Sequence, residues 1–146
     1  MSHLNDYSAI ISIPIQWGDQ DAFGHVNNTV PIRWFESSRI AFLDACGLGE
    51  MMTGEGVGPI LAAVTCNYRK QIRFPDTVHI GARTTNIGRT SMTVEHAVFS
   101  DSQQGIAAEG ESVIVVFDYA TQRPIRISDA MRAKLVAMND HHEPRA

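Results

Sequence analysis

From Tyr7 to Trp17 the odd-numbered positions are Tyr7, Ala9, Ile11, Ile13, Ile15 and Trp17, a period of two that predicts a strand with one buried face. Ile10 blurs the alternation. Pro14 lacks a backbone donor, which predicts a sheet edge or a bulge at that point. The polar stretch from Gly18 to Asn28 shows neither strand nor helix period and reads as an ordered loop. Pro31 is tolerated only in a first helical turn, Asn28 or Thr29 can cap ahead of it, and Gly47 is a natural stop. These limits bracket a helix of about Val30 to Cys46. Within it Phe35, Ser38, Phe42 and Ala45 recur at helical spacing, flanked by Ile32, Trp34, Ala41 and Leu43. Most of its circumference is therefore apolar or small, and it needs a partner to wrap it.

Apolar segments near Ile60–Tyr68, Thr77–Ile87, Thr90–Ser100 and Ile106–Asp118 can do so, separated by Pro75-Asp76, Gly88-Arg89 and Asp101 to Gly105. Val78, Ile80 and Ala82 alternate in one, and Met92, Val94, His96 and Val98 in the next, as in a sheet half buried and half wet. The short turns imply a meander. A last amphipathic stretch, Ser128 to Met138, reads as a surface helix capped by Ser128, with Asn139–Ala146 a frayed tail. The expected fold is α+β, a single domain over residues 1–146, in which about five antiparallel strands wrap one long helix. A small sheet over one helix leaves an edge and a face open, so association into dimers is expected.

Length and charge narrow the function. At 146 residues and 44% hydrophobic content the chain supplies one real core. Twelve Lys and Arg against 16 Asp and Glu leave a net charge of -4, without the basic excess that phosphate backbones demand, so nucleic acid is not an expected partner. No apolar run is long enough to span a bilayer, and Met1 to Asp6 lacks a charged-then-apolar signal, which points to a soluble, cytoplasmic protein. Cys46 and Cys66 are far from any CxxC spacing and read as buried free thiols.

The loop carries the chemistry. Trp17-Gly18-Asp19-Gln20-Asp21-Ala22-Phe23-Gly24-His25-Val26-Asn27-Asn28, followed by Arg33-Trp34-Phe35-Glu36, resembles the 4-hydroxybenzoyl-CoA thioesterase-like branch of the hotdog superfamily. The resemblance implies the hotdog fold, a homodimer or homotetramer with sites at the subunit interface, and an acyl-CoA substrate. Acyl carrier protein is an alternative thioester donor. It implies no cofactor, coenzyme A entering only as part of the substrate, and no metal. By the same resemblance Asp21 is general base or nucleophile, and the backbone amides at about Asn28 and Thr29 polarise the thioester carbonyl. Family members often carry an aromatic residue where this chain has Pro31, a departure that bears on the acyl pocket.

A thioester hydrolase needs a group that delivers water or attacks the carbonyl, and donors for the developing oxyanion. Asp21 and the amides of a helix N-terminus meet both needs. Asp19 reads as structural, holding loop amides. His25 is a candidate to orient substrate or Asp21, against the plainer role of bonding loop backbone. Gly24 and Asn27 are candidate substrate contacts, although Asn27 and Asn28 also suit a turn. Glu36 is a second carboxylate to consider, against a plain surface or interface charge. For the nucleotide phosphates the candidates are Arg69, Lys70, Arg73, Arg89 and Arg126, with Thr90 and Ser91 offering hydroxyls beside Arg89. Trp34, Phe35 and Phe42 could line an acyl pocket or be plain core. Competing readings are a metal hydrolase on Asp19, Asp21 and His25, an acyl-CoA hydratase or dehydratase of the same fold, and a non-catalytic acyl-CoA or acyl-carrier binding protein.

Overall fold

The computed structural model describes residues 4–49 and 56–140. Strand β1 (Ala9–Pro14) is followed by a 3-10 turn (Trp17–Asp19) and helix α1 (Thr29–Ala45). Then come β2 (Val57–Tyr68), β3 (Thr77–Ile87), β4 (Ser91–Ser100), β5 (Gly105–Asp118), the two-residue β6 (Arg123–Pro124) and α2 (Asp129–Asp140). All strands are antiparallel, in the order β1-β3-β4-β5-β2, with β6 on β5. This is the expected hotdog architecture, with one correction to the meander. Only β3-β4-β5, with the short β6 folded back on β5, run as consecutive hairpins. The chain crosses from β2 at one edge to β3 near the other, so β1 and β2 are the two edge strands.

Helix α1 lies across one face, burying Pro31, Trp34, Phe35, Ser38, Phe42 and Leu43. Beneath it the inward positions Val78, Ile80 and Ala82 of β3 and Met92, Val94, His96 and Val98 of β4 are almost wholly buried, as their alternation requires. Gly110 of β5 makes the close approach workable, since a Cβ there would stand 2.8 Å from Cε2 of Phe35 and 1.9 Å from the Thr65 carbonyl oxygen. Full burial of a ring such as Phe35 stabilises by about 1.5–3 kcal/mol. Gly47, at φ +79°, ends the helix in the left-handed conformation, with Leu48 N donating to Leu43 O at 2.8 Å. The wrapping is one-sided, for Arg33, Glu36, Ser37 and Ile40 are exposed, Glu36 and Ile40 beside the groove along β2.

The opposite sheet face is not uniformly wet. Leu4 and Tyr7 fold over it and bury Ala97 and Phe99, with Ile106 packed alongside. Gly81 permits this, because the Tyr7 ring occupies the place of its missing side chain. Strand β1 is shorter than Tyr7–Trp17 because Tyr7 turns to cap this patch, while Trp17 enters the 3-10 turn and is exposed. Helix α2 starts one residue after its cap, Met131 N donating to Ser128 Oγ at 3.1 Å, and continues two residues past Met138. Of the tail expected to fray, residues 141–146 lie outside the described residues. Cys46 is buried, with its thiol pushed up to about 11 by burial; Cys66 is only half-buried, and both are free.

Candidate active site

The loop between β1 and α1 is built from its own hydrogen bonds. Asp19 accepts Gln16 N on Oδ2 at 2.8 Å, and its carbonyl accepts Asn27 N at 2.9 Å, the structural task expected of it. Gly24, at φ +82°, reverses the chain so that Asp21 N reaches His25 O at 3.0 Å, and Val26 N then anchors to Ile72 O at 2.7 Å. Within this frame Asp21 is half-buried. Its Oδ1 accepts Phe23 N at 2.9 Å and its Oδ2 accepts Asn27 Nδ2 at 3.3 Å. A carboxylate has about four acceptor positions, so two donors leave it capacity for water or substrate.

The helix start differs from expectation. Asn27, rather than Asn28 or Thr29, supplies the cap: its Oδ1 accepts Thr29 N at 2.9 Å and Thr29 Oγ1 at 2.7 Å. The amide of Thr29 is thus occupied. Among the described residues no acceptor holds the Asn28 amide, and the Asn28 carbonyl is clamped by the Tyr68 hydroxyl from the end of β2. Of the two expected oxyanion donors, one is free at this helix terminus.

A cleft of about 170 Å³ opens beside this terminus, walled by His25, Val26, Asn28, Pro31, Tyr68, Arg69, Lys70, Ile72 and Ala108 among others. His25 Nδ1 lies 3.5 Å from Val26 O, a weak contact that leaves the ring at the wall. Arg69 stands at the mouth, paired with Glu109 at 3.4 Å with both side chains exposed, a pairing worth little and readily exchanged for another anion. The structure therefore brings together His25, Asn28 and Arg69 of the expected site, with Lys70. Asp21, Gly24, Asn27 and Thr29 lie in the adjoining loop and first turn, off the cleft wall.

Other candidates lie elsewhere. Trp34 is core, packed with Phe35 under the helix. Arg89, Thr90 and Ser91 form the β3–β4 hairpin, at the far end of strands whose other end adjoins the cleft. Eleven residues of β3 separate the two places, about 35 Å of extended chain. Arg126 pairs with Asp129 at 3.2 Å. Glu36 lines a different cleft of about 210 Å³ with Arg39, Ile40, Leu43, Pro59, Leu61 and Ile114, along the groove between α1 and β2. Among the described residues no three His, Cys, Asp or Glu side chains converge as metal ligands.

Two features escape a reading of the loop alone. Tyr68 closes the cleft, brought there by the length of β2. Beneath α1, His96 is fully buried, stacked on Phe35 at 4.6 Å and 10°, with Nδ1 at 3.1 Å from Ser38 Oγ and Nε2 at 2.9 Å from Ser112 Oγ. Arg39 NH1 donates to that same Ser112 oxygen at 3.0 Å. Arginine only donates, so Arg39 fills one acceptor position of Ser112 Oγ, and the Ser38 and Ser112 hydroxyls, each able to donate or accept, satisfy the two nitrogens of the ring. Burial, with the Arg39 charge nearby, lowers the His96 pKa to about 3, so the ring is neutral. Arg39 is itself lowered by burial. The signal for this network was polar residues, His96 and Ser38, at positions the periodicity turned inward.

Sheet, helix and loop together define a hotdog domain whose polar loop meets the helix N-terminus. The model of the thioesterase-like superfamily matches residues 15–135, and the chain belongs to that superfamily. Two curated relatives are the uncharacterized protein YsmA of Bacillus subtilis, 26% identical over 62% of this chain, and the chloroplastic acyl-acyl carrier protein thioesterase ATL3 of Arabidopsis thaliana, 24% identical over 86%. The chain spans 60% and 66% of their lengths. Among solved structures, the PA2801 protein of Pseudomonas aeruginosa aligns with TM-score 0.78 and 30% identity, covering 87% of this chain and 97% of its own. A thioesterase of Thermus thermophilus, solved with coenzyme A and Zn, aligns with TM-score 0.78 and 27% identity over 92% of this chain and 97% of its own.

Proposed function

We propose that this chain hydrolyses acyl-CoA thioesters to a free acid and coenzyme A, with Asp21 as general base or nucleophile and the Asn28 amide as oxyanion donor. The observation that carries this reading is the loop-to-helix junction. There a carboxylate with spare acceptor capacity and an unengaged helix-terminal amide adjoin a cleft with cations at its mouth. A thiolate leaves readily, so a carboxylate, water and one donor suffice without a serine triad; one well-placed donor contributes roughly 3 kcal/mol in the transition state. Arg69 and Lys70 suit the nucleotide phosphates. The coenzyme A bound to the Thermus thermophilus thioesterase supports a CoA-type substrate.

A homodimer fits the same reading. Edge strand β2 runs 12 residues with Ile60, Leu61, Ala62 and Ala63 exposed and no charged side chain, a surface suited to a second copy. Arg89, Thr90 and Ser91, too far from the cleft of their own chain, would serve a site only from that second copy.

The test is free-thiol release from aliphatic and aromatic acyl-CoAs and from an acyl carrier protein thioester, by wild type and Asp21→Asn. Release by wild type, lowered on the order of 100-fold or more in a folded Asp21→Asn, is the expected result. Failure of wild type to release thiol from every thioester overturns it. Hydration of an enoyl-CoA under those conditions would establish the hydratase reading instead.

A further inference from the structure

On the sheet face turned away from α1, Ser12 of β1 sits directly opposite His79 of β3 in the strand register. Ser12 Oγ lies 2.6 Å from His79 Nδ1, and His79 Nε2 lies 2.9 Å from Asp101 Oδ1. An ionised carboxylate only accepts, so Nε2 carries the ring proton and the Nδ1 lone pair faces the serine hydroxyl. A nucleophile, a base and a group that orients the base thus stand in line, each within hydrogen-bond reach of the next. The ring is turned end for end relative to the serine-protease arrangement, where Nε2 faces the serine, but the path of the proton is the same.

The surroundings hold this line in place. Asp101 N donates to Thr77 O at 3.0 Å, and the next residue, Ser102, is tied through its amide to Asp76 Oδ1 at 2.9 Å. The imidazole is 14% exposed and flanked by the Phe99 ring at 6.3 Å, so its base is shielded while Ser12 itself faces solvent. An oxyanion donor follows from the register. Ile15 N donates to Asp76 O at 2.9 Å, so within β1 the odd-numbered residues are the hydrogen-bonded partners of β3 and the even-numbered ones turn their N–H groups to the open edge, the phase shifting by one only before the strand, where Ser8 N donates to Ala82 O at 3.0 Å. Pro14 falls in that outward phase, where a missing donor costs nothing. Ser12 shares the phase, so its own amide is free beside its Oγ.

We propose that Ser12, His79 and Asp101 form a second reaction site, a nucleophilic serine that takes acyl groups from small activated esters. Ser12 Oγ bonds to the ester carbonyl carbon while its proton passes to Nδ1, and the negative oxygen faces the Ser12 amide. The bond to the alkoxide breaks, and the leaving group takes the proton from Nδ1 and departs as the alcohol. Water, giving its proton to Nδ1, then displaces the acyl group as the free acid and restores the hydroxyl. With one oxyanion donor and an open surface, deacylation is slow and acyl-Ser12 accumulates. The site is independent of the cleft beside α1, so either proposal can fail alone.

The experiment treats the full-length protein with a fluorophosphonate, in which fluoride replaces the alkoxide, and with p-nitrophenyl acetate, and locates adducts by peptide mass spectrometry. The expected result is a single adduct on Ser12, absent in Ser12→Ala and formed at least tenfold more slowly in His79→Gln and in Asp101→Asn. Thiol release from acyl-CoA is unchanged in Ser12→Ala. No adduct on Ser12 in wild type overturns the proposal. So does labelling at the wild-type rate in either folded relay variant, which would reduce the triad to a surface hydrogen-bond chain.

Discussion

Two histidines, each bridged by side chains on both ring nitrogens, sit on opposite faces of one sheet. His96 lies in the core between two serine hydroxyls; His79 lies at the surface between a serine hydroxyl and a carboxylate. The difference in the second partner decides what each can do. Hydroxyls adapt to whichever proton they meet, so Ser38 and Ser112 satisfy a neutral ring and hold it, with Arg39 NH1 donating to Ser112. A carboxylate fixes one tautomer, so Asp101 leaves the Nδ1 lone pair facing Ser12. The buried network specifies how α1 sits on the sheet, and the surface one is equipped for chemistry.

Substitution tests the contrast most strongly. His96→Ala removes a packed ring under Phe35 and takes the ring partner from the buried Ser38 and Ser112 hydroxyls, with an expected cost of about 3–5 kcal/mol in urea unfolding. His79→Ala at the surface should cost under about 1 kcal/mol. Equal losses at the two positions would break the comparison.

Acid should separate them next. The folded pKa of His96, about 3, lies below the ordinary 6.5, so in this window the unfolded chain binds the extra proton. This contribution to stability is complete above pH 6.5 and is lost as pH falls toward 3, the loss reaching about 2 kcal/mol at pH 5. A folded His96→Gln should lack that component of the pH dependence; a profile identical to wild type would show that His96 is not the group responsible.

Smaller effects sharpen the picture. Arg39→Met withdraws the donor that Ser112 accepts, with an expected loss of about 1–2 kcal/mol in thermal unfolding. Ser12→Ala should alter stability by no more than about 0.5 kcal/mol while abolishing fluorophosphonate labelling, the cleanest separation of stability from reactivity at the two sites.

Much of the fold was legible from periodicity. The inward alternation of β3 and β4, the stop at Gly47 and the edge position of Pro14 each follow from a local rule that the tertiary structure respects. The loop was legible as a break between strand and long helix because Asp21, Gly24 and Asn27 fit neither period, while the short 3-10 turn at Trp17–Asp19 left no signal in it. What was not legible was partnership across distant segments. Asn27 rather than Asn28 caps α1 because the loop closes on Asp19 and Ile72 first. Ala97 and Phe99 are dry because Leu4 and Tyr7 cross a strand that carries glycine at position 81.

By itself the sequence determined where strands and helix form, which faces turn inward, and that a carboxylate-bearing loop precedes the long helix, because each depends on neighbours within a few residues. Only the tertiary structure decided the strand order, the freedom of the Asn28 amide, the burial of His96 and the alignment of Ser12, His79 and Asp101. These rest on contacts between residues tens of positions apart, and chain crossings and sheet register, rather than local spacing, bring such residues together.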